Sequence, residues 1–213
     1  MISKFFSWSD SINSTSKNYW LYSALSLLVF FILILIRYPD FIIEPRIYGE
    51  DSIYYETFLH TENLKGFNTL LYPAYYSGFS RLACFLASIV ELEFAATVIT
   101  WFGFLVLITP ILILFITDCK YWDSLQKKLV LSLFLILSCS TGEICLTSTN
   151  VSFILIIGSF LILLDDNLES KAKRIFYGFY IACAIFNGPI TLIMSPFFVL
   201  RYYQTKQKPF LFH

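Results

Sequence analysis

The chain has 213 residues, 57% of them apolar and only 14% charged, with 23 Phe and 14 Tyr, and its mean hydropathy of +0.69 is that of a membrane protein rather than a soluble domain. Fifteen basic and fifteen acidic side chains cancel, and no basic stripe offers a footprint for DNA or RNA, which excludes nucleic-acid partners. The five cysteines, Cys84, Cys119, Cys139, Cys145 and Cys183, are odd in number and lack CxxC or Cys/His spacing, so they read as small apolar filler rather than disulfides or metal ligands.

A polar leader, residues 1–18, precedes an apolar run over residues 20–36. That run is at the lower limit of the roughly 17 to 25 residues a membrane helix needs. A cleaved signal fits it poorly, because the leader is long and Arg37-Tyr38-Pro39 follows instead of a small-x-small site. The run is expected to be a retained first span.

Residues 37–69 then form the one long polar and acidic stretch. Within it, Glu50 and Asp51 open a segment in which Tyr54, Tyr55, Phe58 and Leu59 fall at helical spacing. The pattern predicts a short amphipathic helix at the membrane surface with two carboxylates at its start, and His60 on its polar side. As helix-start residues, Glu50 and Asp51 are equally expected as cap and dipole partners, worth about 0.3 to 1 kcal/mol.

Beyond this loop, Arg81 interrupts residues 70–90 and leaves only 82–90 cleanly apolar, about half of the roughly 20 residues a crossing needs. The segment is expected to dip rather than cross, with Arg81 near the outer headgroups, where it either snorkels or pairs with Glu91 or Glu93. Residues 94–116 read as an unambiguous span, with Pro110 accommodated by neighbours or a kink. A connection holding Lys120, Lys127 and Lys128 follows, then apolar residues 129–139, a polar interruption over 140–150 containing Glu143, and apolar residues 151–164. A second connection carries Lys171, Lys173 and Arg174, and the last apolar stretch, 175–200, is broken by Asn187-Gly188-Pro189 before a basic tail over 204–213.

Lys and Arg orient membrane helices. If residues 70–90 dip and Asn187-Gly188-Pro189 tips a hairpin of two short helices, both basic connections share the cytoplasmic side with the two termini. Glu50, Asp51 and Glu143 then share the outer face. Full crossing by every run with the N-terminus outside satisfies the charge rule nearly as well but separates Glu50 from Glu143. The expected fold is an all-α polytopic transmembrane helix bundle over residues 19–203, with an outer loop carrying a short amphipathic surface helix and two short-helix hairpins. Unpaired backbone and a carboxylate cannot face lipid, so residues 140–150 must be buried in protein or line a wet cavity, which makes Glu143 a site candidate.

Glu50-Asp51 ahead of an aromatic surface helix, then Tyr72-Pro73 and Tyr75 before Arg81-Leu82, resembles the first outer loop of the GT-C class of integral-membrane glycosyltransferases. Glu143 with Thr149-Asn150, and Asn187-Gly188-Pro189 ahead of Pro196, resemble motifs of a bacterial branch of that class. The resemblance implies transfer of a sugar from a polyprenyl-phosphate donor at the outer face of a bacterial inner membrane. It implies Glu50 and Asp51 as base or metal ligands, Glu143 as a second acidic group, Arg81, Lys65 and Asn150 as substrate contacts, and room for a divalent cation. Chemically, a carboxylate takes the acceptor hydroxyl's proton while a cation meets the departing phosphate, a task for Arg81 or more loosely Lys65. Family members are much longer, so an N-terminal portion or a truncated frame is expected. The alternative is a non-catalytic component of polysaccharide export or a remnant. On the catalytic reading, Glu50, Asp51, Arg81 and Glu143 converge on one cavity.

Overall fold

The computed structural model describes residues 17–61, 63–68, 76–138, 146–148, 150–168 and 170–205. Every regular element among them is helical. In chain order they are α1 (Lys17–Arg37), α2 (Pro39–Ile43), α3 (Glu50–His60), a 3₁₀ segment (Asn63–Asn68), α4 (Gly78–Ser88), α5 (Leu92–Ile116), α6 (Leu125–Ser138), α7 (Val151–Leu163), α8 (Lys171–Ile185), a second 3₁₀ segment (Pro189–Met194) and α9 (Ser195–Thr205).

The molecule is built around α5. Its 25 residues rise about 37 Å, more than the roughly 30 Å of a hydrocarbon core, and among the described residues it is the one helix long and apolar enough to cross a membrane. Two other apolar stretches, Leu21–Arg37 and Val151–Leu163, are shorter. Pro110 is buried inside α5. Lacking an N–H, it leaves the Val106 carbonyl without its usual helical donor, and the hydroxyl of Thr109 donates to that carbonyl at 2.7 Å instead.

The two halves of α5 have different partners. Toward its N-terminus, Ala95 and Ile99 pack with Tyr54, Tyr55 and Phe58 of α3 and Cys84 and Ala87 of α4. Toward its C-terminus, Phe104, Ile111 and Leu114 join Phe30 and Ile34 of α1, Leu155 of α7 and Tyr177 of α8. Gly103 marks the junction. A Cβ there would stand 2.5 Å from the Leu146 carbonyl oxygen, so only glycine lets the backbone of 146–148 meet α5 near its middle. The helices flanking that segment, α6 and α7, have 14 and 13 residues, or about 20 Å each, and so cover only half of α5.

The segment expected to dip contains α4, whose 11 residues extend about 16 Å, roughly half a hydrocarbon thickness. In α3 the buried stripe is Asp51, Tyr54, Tyr55 and Phe58. Leu59, expected on the apolar side, is exposed instead, because it lies at the edge of the stripe that those four positions define. After α8 the chain turns at Asn187 and Gly188, whose φ of +123° is open to glycine but strained for other residues. Pro189 then starts the second 3₁₀ segment.

The two basic connections meet at the C-terminal end of α5. Asp165 is fully buried, accepting from the Tyr177 hydroxyl at 2.6 Å and pairing with Lys173 at 2.7 Å. Lys173 also reaches Asp118 at 3.2 Å, and the Asp166 N–H donates to the Asp118 carbonyl at 2.6 Å. Lys128, just before the apolar run of α6, donates to the carbonyls of Phe115 at 3.0 Å and Thr117 at 2.8 Å. It thereby serves acceptors that the end of α5 leaves without helical donors. Burial pushes its ammonium group down to about 8, against the opposing pull of Asp118.

Candidate functional site

At the junction of the two halves, α3 opens after Gly49, whose φ is +49°, with Asp51 in its first turn. Asp51 is fully buried and does not cap its own helix, contrary to the cap expectation. Its side chain instead reaches a residue 97 positions away: Oδ2 accepts from the Ser148 N–H at 3.0 Å and Oδ1 from the Ser148 hydroxyl at 2.6 Å. The carboxylate therefore receives at least one donor on each oxygen, the arrangement that makes a buried charge tolerable.

The Ser148 carbonyl in turn accepts from the Ser80 hydroxyl at 2.8 Å. Ser80 lies 2.6 Å from the Ser77 hydroxyl. A hydroxyl has one proton, and Ser80 spends its own on Ser148, so Ser77 is the donor in that second bond. Cys84, one turn beyond Ser80 and Arg81, donates through Sγ to the Asp51 carbonyl at 3.4 Å. Ser77, just ahead of α4, and one buried face of α4 comprising Ser80, Arg81 and Cys84 thus lie against α3 and the 146–148 segment.

The first backbone donors of α4 are satisfied from outside the helix. The Gly78 N–H donates to the Phe186 carbonyl at 3.1 Å and the Phe79 N–H to Asn187 Oδ1 at 2.7 Å, while Asn187 Nδ2 donates to the Cys183 carbonyl at 2.7 Å. The Asn187-Gly188 turn is therefore the cap of α4, which places the α8 hairpin tip beside the serines.

Arg81 is fully buried as well. It neither snorkels nor turns to Glu91 or Glu93, both of which are exposed. Its Nη1 donates to the carbonyls of Gly66 at 2.7 Å and Phe67 at 3.2 Å, and its guanidinium lies 4.9 Å from the ring centroid of Tyr76 and 5.4 Å from that of Tyr54. Tyr54 is one turn along α3 from Asp51, which brings anion and cation into the same interior, separated along α3 by about 5 Å of rise.

Among the other expected site residues, Glu50 is half-buried, and its Oε2 is buried with no hydrogen-bond partner among the described residues. Lys65 is exposed on the 3₁₀ segment whose Gly66 and Phe67 carbonyls hold Arg81. Asn150 is half-buried at the start of α7, with Nδ2 donating to Thr147 Oγ1 at 3.0 Å. Glu143 and the Tyr72-Pro73 motif lie outside the described residues, so of the four residues expected to share a cavity the structure describes Glu50, Asp51 and Arg81. His60 is exposed, 4.0 Å from Glu56. Among the described residues no three His, Cys, Asp or Glu side chains are grouped to hold a metal ion.

Sequence reasoning singled out Asp51 and Arg81 but missed that Ser148 holds Asp51, that Ser80 holds Ser148 and that Asn187 caps α4. The available signal was Ser77, Ser80 and Arg81 at i, i+3 and i+4, a polar stripe inside an apolar segment. Comparison of the chain with protein families, with curated proteins and with solved structures finds no match.

Proposed function

We propose that the chain is a multi-pass membrane protein that transfers a sugar from a polyprenyl-phosphate donor at the outer membrane face. The membrane part is supported by apolar side chains standing outward on helix after helix. Leu28, Leu105, Phe134, Phe179 and Phe197 are each more than half exposed, a belt that a soluble monomer rarely leaves uncovered and that lipid tails cover. The observation that carries the chemical part is that a carboxylate, Asp51, and a guanidinium, Arg81, are both fully buried and share one interior behind that belt. Charges in such a place are costly and mark function.

The geometry divides the work. Both Asp51 oxygens are engaged by Ser148, so Asp51 is a positioning residue that fixes the start of α3. Glu50 Oε2, free of hydrogen bonds among the described residues, keeps its lone pairs for a proton and is the base. The acceptor oxygen attacks the anomeric carbon and its proton passes to Glu50. The bond from that carbon to the lipid phosphate breaks, and the released phosphate charge is met by Arg81.

The clamp on Asp51 also favours a second reading, a non-catalytic export component in which the buried charges only hold α3, α4 and the 146–148 segment together. Membranes carrying the full chain, supplied with radiolabelled polyprenyl-phosphate sugars, separate the two. On the catalytic reading Glu50→Gln lowers transfer at least about 100-fold with an unchanged melting temperature, while Asp51→Asn lowers both. Transfer that is absent from the unaltered protein, or survives in Glu50→Gln, leaves the second reading.

A further inference from the structure

At the end of the molecule opposite Asp51, the connection after α5 and the helix α9 enclose an open groove of about 360 Å³. Its floor and one wall are apolar, formed by Leu163, Phe197 and Leu200, and its rim is polar, formed by Lys120, Asp166 and Arg201. The rim is built rather than loose. The Arg201 guanidinium donates to the Asp165 carbonyl and lies 3.6 Å from Asp166, and Asp166 Oδ2 accepts from the backbone N–H of Lys120 at 3.2 Å. Asp166 thus ties the Arg201 side chain to the backbone of Lys120, two residues from distant parts of the chain. The Lys120 ammonium, 5.2 Å from the Tyr121 ring centroid, makes no ion pair among the described residues. Tyr202 and Tyr203 stand exposed beside Arg201, the side chains favoured at a headgroup level.

We propose that this groove binds an anionic phospholipid, its phosphate against Lys120 and Arg201 and the start of an acyl chain along Phe197 and Leu200. The inference rests on the membrane reading and not on sugar transfer. The rim's two cations, Lys120 and Arg201, outnumber its one carboxylate, Asp166, and this net positive charge favours an anionic headgroup over a zwitterionic one. A soluble phosphate leaves the apolar wall wet. Polar rims that join an apolar wall on the basic side of a helix bundle suit such headgroups, and each Lys or Arg at the surface strengthens the attraction about five-fold.

The full chain, purified in mild detergent, is incubated with phosphatidylglycerol or phosphatidylcholine and the retained lipid is counted by native mass spectrometry. Phosphatidylglycerol is retained in preference to phosphatidylcholine, Lys120→Gln lowers its retention about five-fold, and Leu200→Gln lowers it as well. Lys127→Gln, exposed and paired with Asp123 at 2.7 Å outside the groove, leaves it unchanged. Equal retention of the two lipids, equal effects of Lys120→Gln and Lys127→Gln, or displacement by millimolar glycerol phosphate would each overturn the proposal. Release of the chain from membranes by alkaline carbonate would instead overturn the membrane reading beneath it.

Discussion

Asp51 and Ser148 show how two short polar side chains hold together parts of the chain that sequence distance separates. Replacing Ser148 by Ala removes the hydroxyl that donates to a buried carboxylate at 2.6 Å, a charge-assisted bond whose loss costs about 1.5 to 3 kcal/mol. Asp51→Asn removes the charge, and the same hydroxyl then has less to stabilise. The double variant should therefore lose less than the sum of the two single losses, a non-additivity measurable by thermal unfolding of the detergent-solubilised protein. Additive losses would mean that the 2.6 Å contact does not couple the two residues. Arg81 makes the complementary case. Arg81→Lys keeps a positive charge but gives up the planar face that lies over Tyr76 and Tyr54, so the variant should unfold at a lower temperature than the unaltered protein although its net charge is the same.

At the scale of elements, the close approach at Gly103 decides where the polar break can sit. Gly103→Ala places a methyl group 2.5 Å from a backbone oxygen, and backbone yields less readily than a side-chain tip, so a loss of about 1 to 3 kcal/mol is expected. Gly178, with nothing within 4 Å of an added Cβ, is the control: Gly178→Ala should hold or raise the melting temperature through helix propensity. The helices themselves were largely legible in the sequence. Runs of apolar residues announced α1, α5, α6 and α7, and Asn187-Gly188-Pro189 marked the end of α8, whereas Arg81, read as an interruption, lies inside α4. What periodicity does not carry is the identity of the partner. It told that one face of α3 is buried, but not that Asp51 belongs to that face and looks to Ser148, nor that the Asn187 turn caps α4. Contacts that span this much chain follow from the packing of whole helices, which no local pattern encodes.

For the whole molecule, the joining of Asp118 with Asp165 and Lys173 places the two basic connections at one end, and α3 packs toward the other. On the proposed topology, a thiol introduced at position 127 or 171 in a cysteine-free background should be silent to an impermeant reagent in intact cells, whereas one at the exposed Glu56 should react. Labelling at 127 from outside would reverse the orientation. The charge asymmetry that suggested this arrangement was plain in the sequence, but the acidic side chains that tie the two connections together were not, since Asp118 and Asp165 read there as ordinary loop residues. The same contacts also imply an order of assembly. Lys128 reaches back only 11 and 13 residues to the end of α5 and Asp118 meets Asp165 across 47, whereas Asp51 must wait for a partner 97 residues downstream. Closing a longer loop loses more entropy, so the basic end and the packing of α3 on α4, where Cys84 meets Asp51 across 33 residues, are expected to form before the Asp51–Ser148 contact. Until residue 148 has emerged from the ribosome, the chain carries Asp51 without the donors that make its burial affordable, and the first loop has reason to stay open to water.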